Sequence, residues 1–414
     1  MMKNKIKQLF QAEKMRKRKR QLIAWGFFLL VLGANCLPAA PDFQGYLKFF
    51  AHPGLTSPYR FNRFGTRLQL TLKKSQQLVD LFASFNLDLD ERYRNSSNQI
   101  NPDMMTSFKI YPVEAYLFFH WSNLDLRLGK QFIFWGRTDW INPTDNITPW
   151  DYTNITAEIE DYRLAVNALR LNWYFGLSNL EIVFVPYFQP NRTGLEIPGA
   201  QEELPEQKPS NWQEGLRFSS GWGGLNFSLS YWRGFDLFPS VVPENKALKI
   251  KYYPQQVLGV DFDYAYGHFV FKGEGAYYRT QDSTGFDPLV RNPFIYYVLG
   301  SDYNLSSEVT LNLQYVEKRV LKWQPGFMSP HEKKVTRSVS ARLAYKKEGY
   351  YSLQLIGVYN LADGDYFLLP IFNYEIADGL NLYAGATFFA GPENSPFGRN
   401  KDFSRAFVEI KYSF

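Results

Sequence analysis

The chain has 414 residues, with 46 Lys and Arg against 40 Asp and Glu, 18% aromatic side chains and a mean hydropathy of −0.33. That hydropathy excludes a bundle of membrane helices, and a single cysteine, Cys36, excludes a disulfide-built scaffold. The net charge of +6 is no argument for a nucleic-acid partner, because residues 1–20 hold nine Lys and Arg against Glu13, a local +8 that leaves −2 for the remainder.

The basic N-terminus runs into Leu22–Gly33, an apolar stretch of the length expected for a secretory signal. Small residues follow at Ala34, Ala39 and Ala40, and Pro41 disfavours a cut after Ala40. Cleavage is therefore expected after Ala39, making residues 1–39 a removed signal peptide. The apolar run is shorter than the roughly 20 residues of a spanning helix. Asn35 beside Cys36 also fits a lipoprotein anchor poorly. A mature chain starting at Ala40 carries no cysteine, which suits passage through an oxidising periplasm.

From residue 40 onward the recurring signal is period-two alternation, the mark of strands with one face in each of two environments. In Leu81–Leu89 the polar face carries Ser84, Asn86 and Asp88. In Leu124–Phe134, Leu124, Leu126, Leu128, Phe132 and Phe134 alternate with Asp125, Arg127 and Gln131. Leu258–Tyr266 places Asp261 and Asp263 on its polar face, and Val309–Tyr315 does the same with Thr310, Asn312 and Gln314. The first six segments are 43–50, 60–74, 77–91, 106–120, 123–136 and 162–175. The next six are 178–189, 211–221, 224–235, 255–266, 268–280 and 292–303. The last six are 307–320, 333–346, 350–361, 365–376, 379–391 and 402–414.

Most of these exceed the roughly 5–6 residues of a soluble strand and match the about 9–11 of a tilted membrane strand. Aromatic pairs at strand ends, Tyr277–Tyr278, Tyr296–Tyr297 and Tyr350–Tyr351, fall where interfacial girdles lie. Short connections (Ser122–Asn123, Gly267, Ala377–Gly379) alternate with long ones (92–105, 137–161, 190–210, 236–254). The expected fold is all-β: a transmembrane antiparallel up-and-down β-barrel of about 18 strands, with 16 as the alternative. It occupies 40–414 as one domain with both termini in the periplasm. The last strand presents Val408, Ile410, Tyr412 and the terminal aromatic Phe414, which resembles the signal by which outer-membrane proteins are handed to the barrel-assembly machinery.

Two stretches resemble porin-like outer-membrane families. Leu126–Asp145 has the form "LRxGKQ…WG" running into "NPxD", and Gly259–Tyr277 is similar to a later hairpin of such barrels. The resemblance implies a channel in the outer membrane of a Gram-negative-type bacterium, in contact with lipid and lipopolysaccharide, and names no substrate. Porin-like barrels are often trimers, and a homotrimer is compatible with this reading. In general porins the third external loop folds inward. The resemblance implies that role for 137–161, which is the third external loop counting 51–59 as the first.

The content of 137–161 suits a folded loop. Pro143 and Pro149 fix the backbone, Trp140, Trp150 and Tyr152 can pack, Asn142–Asp145 is turn chemistry, and Thr148 or Asp151 can cap a short helix. Asp139, Asp145, Asp151, Glu158, Glu160 and Asp161 make it acidic, with Arg137 and Arg163 at its edges. Two readings stand open. In one, the loop constricts the lumen, and its acids face Arg127, Arg163 and Arg170 on the neighbouring wall to set up a transverse field. In the other, the acids are solvated or bind divalent ions at the surface. The 190–210 loop, with four prolines, reads as exposed and without chemistry.

No enzyme is indicated. His52, His120, His268 and His331 are scattered, and neither G-x-S-x-G nor HExxH occurs. No cofactor or metal is implied. The function expected is passive diffusion of small hydrophilic solutes. The alternatives are a polysaccharide-export or surface-anchoring barrel, and a channel for hydrophobic compounds. The last would need an N-terminal plug, for which the first strand, starting close behind the cleavage site, leaves no room.

Overall fold

The computed structural model describes residues 41–56, 61–90, 108–193, 197–244, 247–325, 333–347 and 350–414. The expected signal peptide 1–39 with Cys36, and the long connection 92–105, lie outside the described residues.

Each alternating segment of the sequence forms one strand of a single closed sheet. Its first strands are β1 (Asp42–Pro53), β2 (Phe61–Ser75), β3 (Val79–Asp90), β4 (Phe108–His120), β5 (Leu124–Gln131), β6 (Val166–Phe175) and β7 (Ser178–Val185). Outside the closed sheet, β8 (Gln201–Glu203), β11 (Ser240–Glu244) and β12 (Ala247–Lys251) make a small separate one. The ring continues through β9 (Gln213–Trp222), β10 (Leu225–Phe235), β13 (Pro254–Tyr266), β14 (Phe269–Thr280) and β15 (Phe294–Asn304). It ends with β16 (Val309–Val320), β17 (Val335–Lys347), β18 (Tyr351–Asn360), β19 (Asp365–Ala377), β20 (Leu380–Ala390) and β21 (Arg405–Ser413). All neighbours in the 18-stranded sheet are antiparallel, and β21 pairs with β1 from Tyr46↔Ser413 to Ala51↔Val408, which closes the barrel.

Period two decides which side chains see which environment. On β13, Leu258 and Val260 point outward and are 56% and 47% exposed, while Val257 and Asp261 on either side of them are buried. Leu229, Leu313, Leu355, Val408 and Ile410 extend the outward apolar surface around the ring. Ser84, Asn86, Asp88, Glu274, Asn312, Gln314 and Glu409 lie on the buried, inward side. A soluble sandwich has the opposite arrangement, so the apolar belt faces lipid. At the tight ends, Gly223 and Gly224 both adopt positive φ (56° and 87°). That is the backbone a two-residue hairpin needs to match strand twist.

Several boundaries differ from expectation. The strand expected over 123–136 stops at Gln131, because Phe132 donates its N–H to Glu114 and Ile133 bonds Thr148, which turns the chain off the wall. β6 starts at Val166 rather than 162, and β7 ends at Val185 rather than 189. Residues 398–403 are a short 3₁₀ turn, so the last strand begins at Arg405. Within the 190–210 loop the exposed β8 pairs in parallel with β12 from the next long connection.

Candidate functional site

Residues 132–165, joining β5 to β6, turn inward and contact the lumen side of strands around the ring. Ile133, Trp135 and Ile147 are buried against Val166, Ala168, Val183, Val185, Trp232 and Val257 of the inner wall. The Trp135 ring meets that of Trp232 edge-on at 6.3 Å and donates its indole N–H to Glu181 at 3.2 Å. Thr148 accepts from Ile133 N and donates to Ile133 O, closing the neck of the loop with one side chain.

Beyond the neck the loop meets Glu274 of β14. This buried carboxylate accepts from Arg137 N (3.0 Å), Thr138 N (3.3 Å), Thr138 Oγ1 (2.8 Å), Thr144 N (2.7 Å) and Thr144 Oγ1 (2.8 Å). Gly136 makes the approach feasible: its φ is +98°, and a Cβ there would lie 2.5 Å from a Glu274 carboxylate oxygen. Arg137 reaches Asp261 at 2.7 Å and Asp263 at 2.5 Å on β13. Asp139 extends further, to Lys272 of β14 at 3.2 Å and to Asn312 and Gln314 of β16 at 2.8 and 3.1 Å. Asn142 donates to Thr138 O, and Pro143 O accepts from Tyr278 of β14, so the Asn-Pro turn is held from both sides.

The second half of the loop is tied to the seam where the barrel closes. Lys48 of β1 lies 2.5 Å from Glu158 and 2.7 Å from Asp161, and Arg67 of β2 is 2.5 Å from Asp161. Lys411 of β21 adds a contact to Glu158 at 2.6 Å. Arg63 donates to Asn154, and Arg405 to the carbonyl of Ile155. Burial disfavours the charge on Asp161, but Lys48, Arg67 and Arg63 outweigh it and hold its pKa well below the usual carboxylate range. Among the described residues, Glu158, Asp161 and Glu409 form a carboxylate cluster with metal-like spacing. The Lys48 ammonium already sits among the three, at 2.5, 2.7 and 3.3 Å, so the cluster is an ion-paired anchor.

Asp145 pairs with Arg163 inside the loop, and the Arg163 guanidinium lies 3.9 Å from the Trp150 ring centroid. Burial, the larger influence, pushes Asp145 up to about 6 against the pull of Arg163. Asp151 caps the turn Tyr152–Asn154 and lies 3.2 Å from Arg192; Thr148 does no capping, being engaged with Ile133. The side chain of Glu160 lies outside the description.

Of the expected arrangement of loop acids facing Arg127, Arg163 and Arg170, the contacts bring together Asp145 and Arg163 but not the other two arginines. Arg127 faces the lumen opposite Arg170, but it stacks over Tyr116 and Phe118 at 4.8 and 4.9 Å. Arg170 pairs with Glu181 at 2.9 Å. The cations that meet Asp139, Glu158 and Asp161 are Lys272, Lys48, Arg67 and Lys411, on strands that sequence reasoning did not associate with the loop. Strand parity marked such residues as inward. It gave no signal of their depth or partner. Glu274 lies in the stretch that carries the second family resemblance, where its acceptor role left no trace.

Between the loop and the adjoining ends of β10 and β13–β16 lies a cavity of about 490 Å3, lined by Trp140, Trp150, Tyr152, Phe238, Tyr278 and Tyr296 among others.

Among solved structures, OccAB4 of Acinetobacter baumannii aligns at 12% identity over 91% of this chain and 98% of its own, with a TM-score of 0.58. A mutant Rh. blastica porin (12% identity, 90% and 100% coverage, TM-score 0.43) and a loop-deleted OmpT of Vibrio cholerae (11%, 91% and 99%, 0.45) also align. The first is similar to this chain at a level that speaks to fold alone. No curated protein matches in sequence. A protein family described as "Protein of unknown function (DUF1302)" matches residues 104–359, more than half the chain and the whole of the inward loop, and the chain belongs to that family.

Proposed function

We propose that this protein is a porin-like channel of the outer membrane, passing small water-soluble molecules by passive diffusion through a lumen narrowed by the loop 132–165. One observation carries the reading: a loop that leaves the wall between β5 and β6 is fastened to β13, β14 and β16 at one end and to β1, β2 and β21 at the other. It therefore lies within the ring, where any solute must pass it. The outward apolar belt supports residence in a lipid bilayer, with lipid and lipopolysaccharide as its surroundings. Export by the N-terminal signal, periplasmic termini and a C-terminal assembly signal ending in Phe414 complete the proposal, as does the absence of enzymatic chemistry. A homotrimer fits it as well.

Asp139, Asp145, Asp151, Glu158 and Asp161 are engaged in ion pairs, so selectivity is expected to come from shape and local hydrogen bonding more than from a strong uniform field. The test is single-channel conductance of the refolded chain in a planar bilayer, compared with a variant lacking residues 140–158. Discrete steps that enlarge on deletion are expected. An intact barrel that inserts and stays silent would overturn the channel in favour of an anchoring or plugged-export role.

A further inference from the structure

The geometry points to the cavity beside the loop as a binding site for a small, flat aromatic molecule carrying few hydrogen-bonding groups. This deepens the channel reading, on which it rests, by naming the solutes that the lumen retains.

The lining supplies ring faces. Tyr162, Trp150, Tyr152 and Phe238 form a file of near-parallel rings, with successive centroids 5.7, 6.1 and 5.8 Å apart and interplanar angles of 29°, 17° and 25°. The file runs from buried Tyr162 to Tyr152 and Phe238, which are 41% and 40% exposed. Tyr278 and Phe294 stack on each other at 4.1 Å on β14 and β15, and both also line the cavity. Its volume, about 490 Å3, falls in the range of small-molecule sites.

Several polar groups of the lining are engaged within the protein, although one Asp145 carboxylate oxygen has no hydrogen-bond partner. Asn146 donates to Pro143 O at 3.0 Å, Asn191 accepts from Trp150 N at 2.8 Å, and the Tyr278 hydroxyl donates to Pro143 O. Asp236 is 2.8 Å from Arg291, and Asp145 holds Arg163. A sugar placed there would find Asn146, Asn191, the Tyr278 hydroxyl and Asp236 already occupied, and each buried hydroxyl left unmatched is costly. An aromatic ring needs only faces and edges, which the two sets of rings provide. The lining therefore offers ring surface more freely than hydrogen-bond partners, which favours an aromatic guest over carbohydrate.

The experiment is calorimetric titration of 2-naphthol, with maltose as comparator, into the full chain in lipid nanodiscs, with the heat of empty discs subtracted. Saturable binding of 2-naphthol is expected, without binding of maltose. The double variant Tyr152→Ala/Phe238→Ala should weaken it about tenfold, since each lost ring contact contributes modestly. Phe238→Ala alone, at an exposed position, gives a smaller loss and serves if the double variant fails to insert. No saturable heat above empty discs, an unchanged affinity in the variants, or maltose binding that the variants abolish would each overturn the site. Bilayer conductance is read separately. Binding by a silent barrel would keep the site and overturn the channel, and conductance without binding would do the reverse.

Discussion

Along β13, each residue from Gln255 to Tyr266 faces a register partner on β14, from Thr280 back to Phe269, so neighbouring backbones satisfy one another. Between Phe132 and Leu164 a few backbone pairs, such as Asp151 N–H to Tyr162 O, are joined by side chains that do the same work: Glu114 for Phe132, Thr148 for Ile133, Glu274 for Arg137, Thr138 and Thr144, and Asn191 for Trp150. The wall spreads its hydrogen bonding over many equivalent ladder bonds. The loop depends on a few backbone pairs and a handful of side chains, of which Glu114 and Glu274 reach in from strands of the wall. Damage to one residue should therefore leave the wall intact and release the loop.

Glu274→Ala is the strongest attempt to break that comparison. Five short donor contacts lose their acceptor, and with about 1–3 kcal/mol for each buried group left unsatisfied, after relaxation the loss of loop docking should be on the order of 5 kcal/mol. Proteolysis should cut within 137–161 while the barrel still shifts on heating in gel electrophoresis. Cleavage that needs prior unfolding of the barrel would mean that loop and wall are one cooperative unit.

Lys48→Met comes next. It leaves Glu158, Asp161 and Glu409 together without their shared cation, a change expected to cost about 3–5 kcal/mol when one partner of a buried ion pair is removed. Reversal potentials across a KCl gradient should move toward cation selectivity. Unchanged selectivity would place that cluster away from the conducting path.

A smaller effect follows from Asp145. Its pKa is raised from 3.8 to about 6, so the docked loop holds a proton that the released loop gives up between those values. Docking then weakens as pH rises from about 4 through about 6 and is constant above. Protection of the loop from a protease active at both pH values should be greater at pH 5 than at pH 7, and the difference should vanish in Asp145→Asn. Asp161 has the opposite sign. Its contribution is full above the ordinary carboxylate pKa and is lost only as pH falls through its depressed value, so it leaves the pH 5–7 comparison undisturbed.

The alternation in Leu258–Tyr266 and Val309–Tyr315 was enough to predict which side chains line the inside, because the period of two is a property of the single strand. The stop at Gln131 was not legible, since Phe132 and Phe134 continue the outward pattern while Ile133 and Trp135 turn into the inward core. An apolar residue at an expected polar position is the one local hint, and it is compatible with an uneven lumen face. The acidity of 137–161 was plain. Of its counterions only Arg163 was, because Arg127 and Arg170 are near in sequence and Lys48, Lys272 and Lys411 are near in space.

The sequence by itself determined the strands, their order, the two faces of each and the departure of a folded, acidic loop after the fifth. Each of these depends on residues within one turn or one strand of each other. Only the tertiary structure decided that Lys48 meets Glu158 and Asp161, that Glu274 receives the loop, and that the aromatic rings of four elements gather around one cavity. Whether a side chain faces inward follows from parity. Its height and angle around the barrel follow from register accumulated over all eighteen strands, and no local pattern contains that sum.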